Sequence, residues 1–348
     1  MHPISDKLIS WYKKNKRDLP WRNISDPYKI WLSEIILQQT QVVQGLNYYL
    51  KFTETFPTVV DLANAPEDKV MRLWQGLGYY SRARNLHQTA KHVAFEREGV
   101  FPKSYNELLL LKGVGEYTAA AIASFSYNEC VPVVDGNVFR VLSRVFDVEA
   151  DIALSSTKKV FSALAFELMP MDNPAVFNQA MMEFGALQCT PKNPDCATCV
   201  FNSSCLALQK KKVTSLPFKS KKTKIRNRFF NYLVLEDIDG NTMVQKRTSK
   251  GIWHNLYEFP LIESESELSF DAIVPMIPDF FSQELTVQSV REMNSNPSAH
   301  KLSHQHLFIK FWKVKTNDKL ADGIDYETLL SLPFPIVIFN FISQDFTK

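Results

Sequence analysis

The chain has 348 residues, of which 45% are hydrophobic, and this composition predicts two or three globular domains with ordinary packed cores. Its N-terminal segment mixes apolar with charged side chains, and no stretch reaches the ~18 consecutive apolar residues of a membrane span. The sequence therefore argues against a secreted or membrane protein, and we expect a cytoplasmic one.

The net charge of +3 hides a difference between the two halves of the chain. Residues 1–228 carry 30 Lys and Arg against 21 Asp and Glu, whereas residues 229–348 carry 10 against 16. The basic first half suggests a polyanionic partner, most commonly nucleic acid, although charge alone fits an ordinary soluble surface equally well.

In chain order, the first predicted elements are all helices, because apolar and polar residues alternate at three-to-four-residue spacing. They cover residues 4–16, 28–51, 66–74, 82–98, 104–111, 117–126, 137–147 and 156–168. We therefore predict an all-α domain over residues 1–209.

Residues 210–228 contain nine Lys and Arg and no acid, which predicts a basic interdomain linker that is either solvated or laid along phosphates. The sequence then changes to short β-rich runs at 229–236, 242–246, 285–290 and 307–315. A second domain, α+β or mainly β, is predicted over residues 229–348.

Two glycines, Gly113 and Gly115, lie between two predicted helices near 104–126. A G-x-G turn at a helix N-terminus lets the backbone approach a phosphate, but a plain interhelical turn is the ordinary alternative. About twenty residues later, Asp135 precedes Gly136 and another predicted helix, where helix capping is the ordinary explanation and is favoured by the local sequence alone.

Glu34 lies within residues 30–37, a segment that is apolar on almost every face. If this carboxyl group is buried, its pKa should be raised, and it can then hold a proton near neutral pH. The alternative is a structural glutamate that caps or hydrogen-bonds a neighbouring helix.

Four cysteines, Cys189, Cys196, Cys199 and Cys205, follow the spacing C-x6-C-x2-C-x5-C, and Cys130 stands apart from them as a small buried hydrophobe. Disulfides are not needed in a chain of this size. One compact run suits a 4Fe–4S cluster better than zinc, whose ligands usually come as two separated pairs, and zinc remains the alternative.

Together, the helix-hairpin-helix, the later aspartate and the cysteine loop (residues 189–205) resemble the endonuclease III superfamily of DNA glycosylases. Within it, the chain resembles the MutY family of adenine DNA glycosylases, on the segments 19–22, 31–41, 76–86 and 182–191. Lys112 departs from the proline that this family often has in the hairpin. The resemblance implies an all-α helix-hairpin-helix glycosylase domain with a 4Fe–4S loop, followed by an α+β Nudix-like domain.

The resemblance also implies the function: a monomer that flips adenine out of duplex DNA where it pairs with 8-oxoguanine or guanine, and excises it. In a prokaryote it would be nucleoid-associated. Two alternatives stay open. One is a glycosylase of the same fold for mismatched or damaged pyrimidines, whose relatives lack the C-terminal domain. The other is a catalytically silent iron–sulfur DNA-binding protein, which would have no use for both Glu34 and Asp135.

Cleavage of an N-glycosidic bond needs a proton on the leaving base and a negative charge beside the cationic sugar. In the resemblance, Glu34 protonates adenine at N7, and Asp135 stabilises the oxocarbenium ion or traps it covalently. Tyr117 and Asn137 would orient the carboxylates and water, unless they are ordinary buried polar residues. Tyr117 stands where bifunctional relatives have a lysine that forms a Schiff base, so strong lyase activity is not expected.

The resemblance assigns DNA contacts as well. Gln39 and Tyr79 would fill the gap left by the flipped base, and the polar tract 38–41, which includes Thr40, would contact the minor groove, although 38–41 also fits an exposed helix end. The adenine pocket would be lined by Arg17, Leu19, Trp21, Arg22 and Gln179. The cluster would be structural, with Lys192 in its loop at a phosphate-binding edge.

In the second half, residues 251–253 and 257–260 resemble the start of the Nudix-like domain of this family. The metal-binding R-E-x-x-E-E pattern of Nudix hydrolases is missing, so this domain should bind and not hydrolyse. Ser303 and His304 lie where the family has a Phe-Ser-His loop against 8-oxoguanine, and Leu302 departs from that pattern. A polar hairpin loop without a role in recognition is the alternative.

Overall fold

The computed structural model describes residues 2–220, 225–281, 285–294, 298–344 and 346. These residues form two compact units. The first unit comprises residues 2–64 and 85–220, and the second comprises residues 65–84 together with the described residues from 225 onward. No helix among the described residues is long and apolar enough to cross a membrane.

Up to residue 220, every regular element described is a helix. The α-helices are α1 (Pro3–Asn15), α2 (Pro27–Leu37), α3 (Val42–Thr55), α4 (Val59–Asn64), α5 (Glu67–Trp74), α6 (Ser81–Lys91), α7 (Tyr105–Leu108), α8 (Glu116–Tyr127), α9 (Gly136–Phe146), α10 (Ser155–Leu168), α11 (Pro174–Leu187) and α12 (Leu206–Gln209). A π-helical turn, His92–Glu96, continues α6. The predicted all-α character of this part is confirmed.

One core cluster of the first unit lies between α1, α9, α10 and α11. Leu8, Val138, Phe161, Phe177 and Phe184 are almost completely excluded from solvent there. Fully burying a side chain of this size stabilises the fold by ~1.5–3 kcal/mol. These helices therefore form a rigid support for the residues at the start of α9.

Helix α2 is apolar on nearly all sides and almost completely buried. It begins at Pro27, and the Asp26 side chain caps it by accepting hydrogen bonds from the backbone N–H groups of Tyr28 and Lys29. A helix that is apolar all round must pack on every face, so any polar side chain on it is also taken out of water. Glu34 is such a side chain.

The predicted helix over 28–51 is wrong in one respect, because α2 and α3 are separate helices. Gln39 has a φ of +57°, in the left-handed region that a right-handed helix does not use. The backbone N–H of Thr40 donates to the Leu37 carbonyl across the turn, 3.2 Å away. The polar tract 38–41 is therefore an interhelical turn.

The second unit contains a five-stranded sheet with helices beside it, which confirms the α+β prediction. Its strands are β1 (Arg226–Glu236), β4 (Leu261–Ser264), β5 (Val287–Glu292), β6 (Ser298–Lys301) and β7 (Gln305–Thr316), and β2 (Gln245–Lys246) pairs with β3 (Tyr257–Glu258) separately. Its helices from residue 225 onward are α13 (Phe270–Ile273), α14 (Ile277–Phe280), α15 (Tyr326–Ser331) and α16 (Ile336–Gln344), with a 3-10 turn at Val274–Met276.

The central strands of the sheet are β1 and β7, which run parallel from the pair Arg226–Gln305 to the pair Glu236–Lys315. β4 pairs antiparallel with β1, while β5 and β6 pair antiparallel with different parts of β7. The side chains of Leu233 and Trp312 are fully buried on this sheet. The strand order is β4-β1-β7-β5, and β6 and β7 form a hairpin with its turn at 302–304.

Residues 210–220 of the predicted linker pack against the first unit. Leu216 is buried, and Lys210 and Lys212 both form ion pairs with Asp147, at 2.7 and 3.3 Å. Part of the positive charge of the predicted linker is therefore neutralised locally. Residues 221–224 of the linker lie outside the described residues.

Residues 65–84 differ from the sequence interpretation, which placed them in the helical domain. In the structure they belong to the same compact unit as the sheet. One physical reason is charge pairing: Asp68 at the start of α5 contacts Lys246 of β2 at 2.8 Å.

Candidate active site

Glu34 and Tyr117 meet inside the first unit. Glu34 is only 5% exposed, and the Tyr117 hydroxyl donates a hydrogen bond to its Oε2, 2.6 Å away. Burial raises the pKa of Glu34, and the negative charge of Asp135 raises it further. The Tyr117 hydrogen bond and the positive charge of Arg22 act in the opposite direction but do not outweigh burial. This carboxyl group is thus suited to holding a proton.

Asp135 is the N-cap of α9, as its position in the sequence suggested. Its Oδ1 accepts hydrogen bonds from the backbone N–H groups of Asn137 and Val138, both at 2.8 Å, and its Oδ2 accepts one from the Asn137 side-chain amide at 2.7 Å. Such donors favour the ionised carboxylate.

A position at a helix N-terminus would by itself lower the pKa of the Asp135 carboxyl group. Burial instead raises its pKa above the ordinary value, although the hydrogen bonds from Val138 and Asn137 and the charge of Arg140 lower it. The reason is that the carboxylate is desolvated more strongly than its donors compensate. The two carboxyl groups, Glu34 and Asp135, therefore share a site of low polarity.

Tyr117 is held in its neutral form at this site. Its pKa lies well above the ordinary value because the hydroxyl is buried and the charges of Glu34 and Asp135 oppose a third negative charge. A neutral phenol is a hydrogen-bond donor. Tyr117 therefore orients Glu34 by donating to it.

Asn137 connects the site to the cysteine loop through Arg140. The Nη2 atom of Arg140 donates to Asn137 Oδ1 at 2.8 Å and to the Gly185 carbonyl at 2.6 Å, while Nε donates to the Cys189 carbonyl at 2.7 Å. The absence of a side chain at Gly185 is required here, because a Cβ atom would lie 2.6 Å from Asn137 Cβ. The orientation of Asn137 thus depends on the backbone at residue 189.

All four cysteines of the loop line one cavity. Their thiols lie close enough that the charge of Cys189 would raise the pKa of Cys196, Cys199 and Cys205. Among the described residues, no group of three or more His, Cys, Asp or Glu side chains is arranged to hold a single metal ion. The four cysteines therefore share one lined space.

The surroundings of the cysteines fit a group that is bound by thiolates. Arg144, only 2% exposed, donates to the sulfur of Cys189 at 3.4 Å, and the backbone N–H of Phe201 donates to the sulfur of Cys199 at 3.4 Å. Burial raises the pKa of Cys199 to about 11, so without a metal this thiol stays protonated. A donor set of four sulfurs, with a buried guanidinium beside it, suits an iron–sulfur cluster.

The residues predicted to line an adenine pocket contact a residue that the sequence analysis missed, Glu183. Its carboxylate, 1% exposed, is held by Arg17 at 2.7 and 2.8 Å and lies 3.7 Å from Arg22. Gln179, one turn earlier on α11, accepts a hydrogen bond from the Tyr12 hydroxyl at 2.8 Å. The only sequence signal for Glu183 was an acid within the apolar run of 174–187.

The other two predicted pocket residues, Leu19 and Trp21, are both buried in the first unit. Trp21 packs edge-to-face against Tyr49, with ring centroids 5.0 Å apart. The Arg17 guanidinium donates to both carboxylate oxygens of Glu183, and this pairing fixes its orientation.

The glycine hairpin lies between α7 and α8. Gly113 has a φ of +76°, and a Cβ atom there would meet Asn85 at 2.7 Å, so this position requires glycine. Gly115 is the exposed N-cap of α8, with open space around it. The Lys112 carbonyl accepts a hydrogen bond from Thr89 at 2.7 Å, which fixes the turn where the family often has proline.

Gln39 and Tyr79, the predicted gap-filling residues, share an unusual backbone. Gln39 is exposed, and its φ is +57°. Tyr79, in the second unit, is 45% exposed with a φ of +46°, which is uncommon for a bulky residue. Strained, exposed positions of this kind are often functional.

Ser303 and His304 are exposed at the turn between β6 and β7. The Leu302 backbone N–H donates to the Gln305 carbonyl at 2.8 Å and closes this turn. The hydroxyl groups of Ser303 and Tyr79 are hydrogen-bonded to each other within the second unit. The sequence analysis did not foresee this contact, which joins residues far apart in the chain.

Comparison with known proteins identifies the family. Two family models match the chain. The model described as "HhH-GPD superfamily base excision DNA repair protein" matches residues 32–167, and the model described as "NUDIX domain" matches residues 231–344. The adenine DNA glycosylase of Buchnera aphidicola subsp. Baizongia pistaciae is 34% identical over 340 residues, which cover 94% of this chain and 93% of that protein. The chain belongs to the adenine DNA glycosylase family.

A human adenine DNA glycosylase is 45% identical over 212 residues, which cover 58% of this chain and 39% of that protein. Among solved structures, a thermostable thymine-DNA glycosylase is similar with a TM-score of 0.55 and 28% identity, covering 60% of this chain and 95% of its own. An endonuclease III bound non-covalently to DNA has a TM-score of 0.52 at 20% identity, covering 60% of this chain and 94% of its own. That likeness supports the fold alone. The predicted fold, a helix-hairpin-helix glycosylase domain followed by a Nudix-like domain, is confirmed.

The raised pKa of Glu34 predicts a stability cost that depends on pH. A carboxyl group whose pKa is higher in the folded state destabilises the fold at pH values above that pKa and has no effect below its unfolded pKa. Glu34→Gln should therefore raise the melting temperature clearly at pH 8 and hardly at all at pH 4, as measured by calorimetry.

Glu183→Gln is the matched control. The ion pair with Arg17 lowers the pKa of Glu183, so the expected change in stability has the opposite sign. This variant should lose stability at pH 8, and the loss should shrink as the pH falls toward 4. Equal effects of Glu34→Gln at both pH values would contradict the burial argument.

Proposed function

We propose that this protein is a monofunctional adenine DNA glycosylase. It removes adenine paired with 8-oxoguanine, or with guanine, from duplex DNA and leaves an abasic site for base excision repair. The observation that carries this proposal is the pair of neighbouring carboxyl groups, the buried Glu34 and the half-buried Asp135, in a chain whose relatives are named adenine DNA glycosylases.

Glu34 is the general acid of the proposed reaction. It gives its proton to N7 of adenine, which makes the base a neutral leaving group. The raised pKa of Glu34 keeps that proton available, and the Tyr117 hydroxyl holds Oε2 so that the other oxygen is directed to the base. Tyr117 therefore positions the acid.

Asp135 supplies the negative charge beneath the sugar. As the bond to the base breaks, the sugar becomes cationic, and a fixed carboxylate stabilises it or forms a covalent intermediate that water later hydrolyses. The three hydrogen bonds from Asn137 and Val138 hold both oxygens in place and favour the charged form. Asn137 is also the residue that orients the attacking water.

The cysteine loop has a structural role in this proposal. Cys189, Cys196, Cys199 and Cys205 would hold a 4Fe–4S cluster, which cross-links residues 189–205 and takes no part in bond cleavage. The loop in turn fixes the Cys189 carbonyl that binds Arg140. Loss of the cluster would therefore loosen the link to Asn137.

The DNA contacts are proposed on surfaces that are exposed or lined by polar groups. The N-terminus of α8 at Gly113 and Gly115 binds a phosphate, with Lys192 at a second phosphate edge. The flipped adenine enters the pocket near Arg22 and Glu183. The protein acts as a monomer on duplex DNA. Gln39 and Tyr79, which both have a positive φ, fill the gap left in the DNA by the flipped base, and Thr40 contacts the DNA beside Gln39.

One experiment tests the central proposal. Labelled duplexes with A opposite 8-oxoguanine, A opposite G, T opposite G and A opposite T are incubated with the protein, and abasic sites are then cleaved with alkali. We expect excision of adenine opposite 8-oxoguanine and G, and no release from T opposite G. Asp135→Asn should slow single-turnover excision by about three orders of magnitude or more, with DNA binding nearly unchanged, because it removes the charge and keeps the side-chain size. A rate within tenfold of wild type would overturn the role of Asp135.

The identity of Tyr117 predicts the reaction subtype. A phenol cannot form a Schiff base, so borohydride should trap little protein on DNA, and strand breaks should appear only after alkali or heat. A superfamily member with a lysine at this position serves as the positive control. Efficient trapping of the wild-type protein would mean that another amine attacks the sugar.

The cysteine loop predicts metal content. Purified protein should be brown and contain about four irons per chain. Cys199→Ser should reduce iron content and impair folding or DNA binding more than the chemical step, whereas Cys130→Ser serves as the control and should keep the iron. A colourless protein with one zinc per chain would favour the zinc alternative.

The turn between β6 and β7 predicts the preference for 8-oxoguanine over guanine. A hydroxyl and an imidazole can hydrogen-bond the groups that oxidation changes at N7 and C8 of guanine. Replacing both Ser303 and His304 by Ala should reduce the preference by roughly 1–3 kcal/mol, the range of one or two specific base contacts. The exposed Ser289 of β5 gives the control, Ser289→Ala. An unchanged preference would assign recognition to other residues.

A further inference from the structure

The helix α5 and the loop after it are attached to the sheet-containing unit by polar contacts. The Glu67 Oε1 accepts a hydrogen bond from the side-chain amide of Asn255 at 3.0 Å, and Asp68 pairs with Lys246 at 2.8 Å. At the other end of the segment, the Arg84 guanidinium donates to the His254 carbonyl at 2.6 Å. We call these three the anchoring contacts.

Each of the anchoring contacts involves a charged side chain of the segment 65–84, and the contact between Asp68 and Lys246 joins opposite charges. The first turn of α5 carries two acids, Glu67 and Asp68, and both raise the pKa of Lys246. A cation–π contact adds to them, since the Arg72 guanidinium lies 4.2 Å from the centre of the Phe339 ring. The segment 65–84 is thus held by residues that are distant in the chain.

Between its two anchored ends, the segment forms a tight loop that carries Tyr79. Gly76 and Gly78 have φ values of +99° and +72°, which a side chain would disfavour. The Arg82 Nη2 donates to the carbonyls of Leu77 and Gly78 at 3.2 and 3.3 Å, and its guanidinium lies 5.7 Å from the centre of the Tyr79 ring. The loop is therefore internally fixed, and its location is determined by the helices at its ends.

We infer that the anchoring contacts of Glu67, Asp68 and Arg84 position Tyr79 against the 302–304 turn and thereby contribute to recognition of the base opposite adenine. This inference rests on the proposed function and deepens it. Lys246, Asn255 and the His254 carbonyl are positioning groups, since they touch the loop's supports and do not touch Tyr79. Residues after position 225 would then contribute to recognition in two ways. Ser303 and His304 would contact the base directly, and the anchoring contacts would act indirectly by positioning Tyr79.

A charge exchange at the Asp68–Lys246 pair tests this inference in the full-length protein. Lys246→Asp places a carboxylate beside Glu67 and Asp68, so the start of α5 is repelled. The ratio of single-turnover rates, A opposite 8-oxoguanine over A opposite G, should fall by roughly threefold to tenfold, as expected for the loss and reversal of a partly exposed pair. The double variant Asp68→Lys, Lys246→Asp restores opposite charges and should return the ratio to within about twofold of wild type.

The ion pair Lys319–Asp239, at 2.8 Å and also in the second unit, is the matched control. It contacts neither the segment 65–84 nor the 302–304 turn in any described interaction, so Lys319→Asp should leave the ratio unchanged. If the loss came only from general destabilisation of the second unit, Lys246→Asp and Lys319→Asp would lower the ratio of the two excision rates equally.

Hydrogen exchange of the free protein separates this inference from the proposed function. Amides of residues 76–81 should exchange faster in Lys246→Asp than in wild type and recover in the double variant. If exchange behaves as expected but wild type releases no adenine, the positioning is right and the proposed function is wrong. If wild type excises adenine but neither the ratio nor the exchange at 76–81 changes in Lys246→Asp, the inference is overturned.

Discussion

Glu34 is buried and Asp135 is half-buried in the same part of the helical unit, and loss of solvent contact makes each carboxyl group resist ionisation. Two carboxylates that share a site of low polarity cannot both be charged without cost, so one of them keeps a proton more readily than the other. Glu34 has one hydrogen-bond donor, whereas Asp135 has three. The difference in donors favours a neutral Glu34 beside an ionised Asp135, which is the division that acid-assisted cleavage of a glycosidic bond needs.

The helical fold is arranged to impose that burial. An apolar α2 carries Glu34 into the core, and the first residues of α9 present Asp135 at a helix N-terminus. Arg140 joins this N-terminus to the cysteine loop, and the buried Arg144 binds the same loop through the carbonyl of Thr190 at 2.8 Å. Two arginines thus link the conformation of the cysteine loop to α9, so in the proposed function a 4Fe–4S cluster without a redox task would still matter for the reaction.

The sequence was sufficient to predict elements and residues whose signal is local. Glu34 stood out as an acid in an apolar run, Asp135 as an Asp-Gly helix start, and the cysteines by their spacing. Glu183 was not predicted because its role depends on the ion pair with Arg17, which lies 166 positions earlier in the chain. The break at Gln39 was missed for a related reason: periodicity continues across the turn, and only the backbone reveals the left-handed residue. The membership of residues 65–84 in the second unit reflects contacts with residues distant in the chain, such as Asp68 with Lys246, which no local pattern encodes.

In the structure, part of the positive charge of the first 228 residues is neutralised by a nearby acid. The excess of Lys and Arg in the first 228 residues suggested a polyanion, but Lys210 and Lys212 are partly neutralised by Asp147, so net charge overstates the attraction of this segment for phosphates. Phosphate attraction cannot distinguish one base from another in any case. Discrimination has to come from groups held at defined distances from one another. Tyr79 and Ser303 meet that requirement, because both belong to one compact unit and their hydroxyls are already hydrogen-bonded to each other before any DNA is bound.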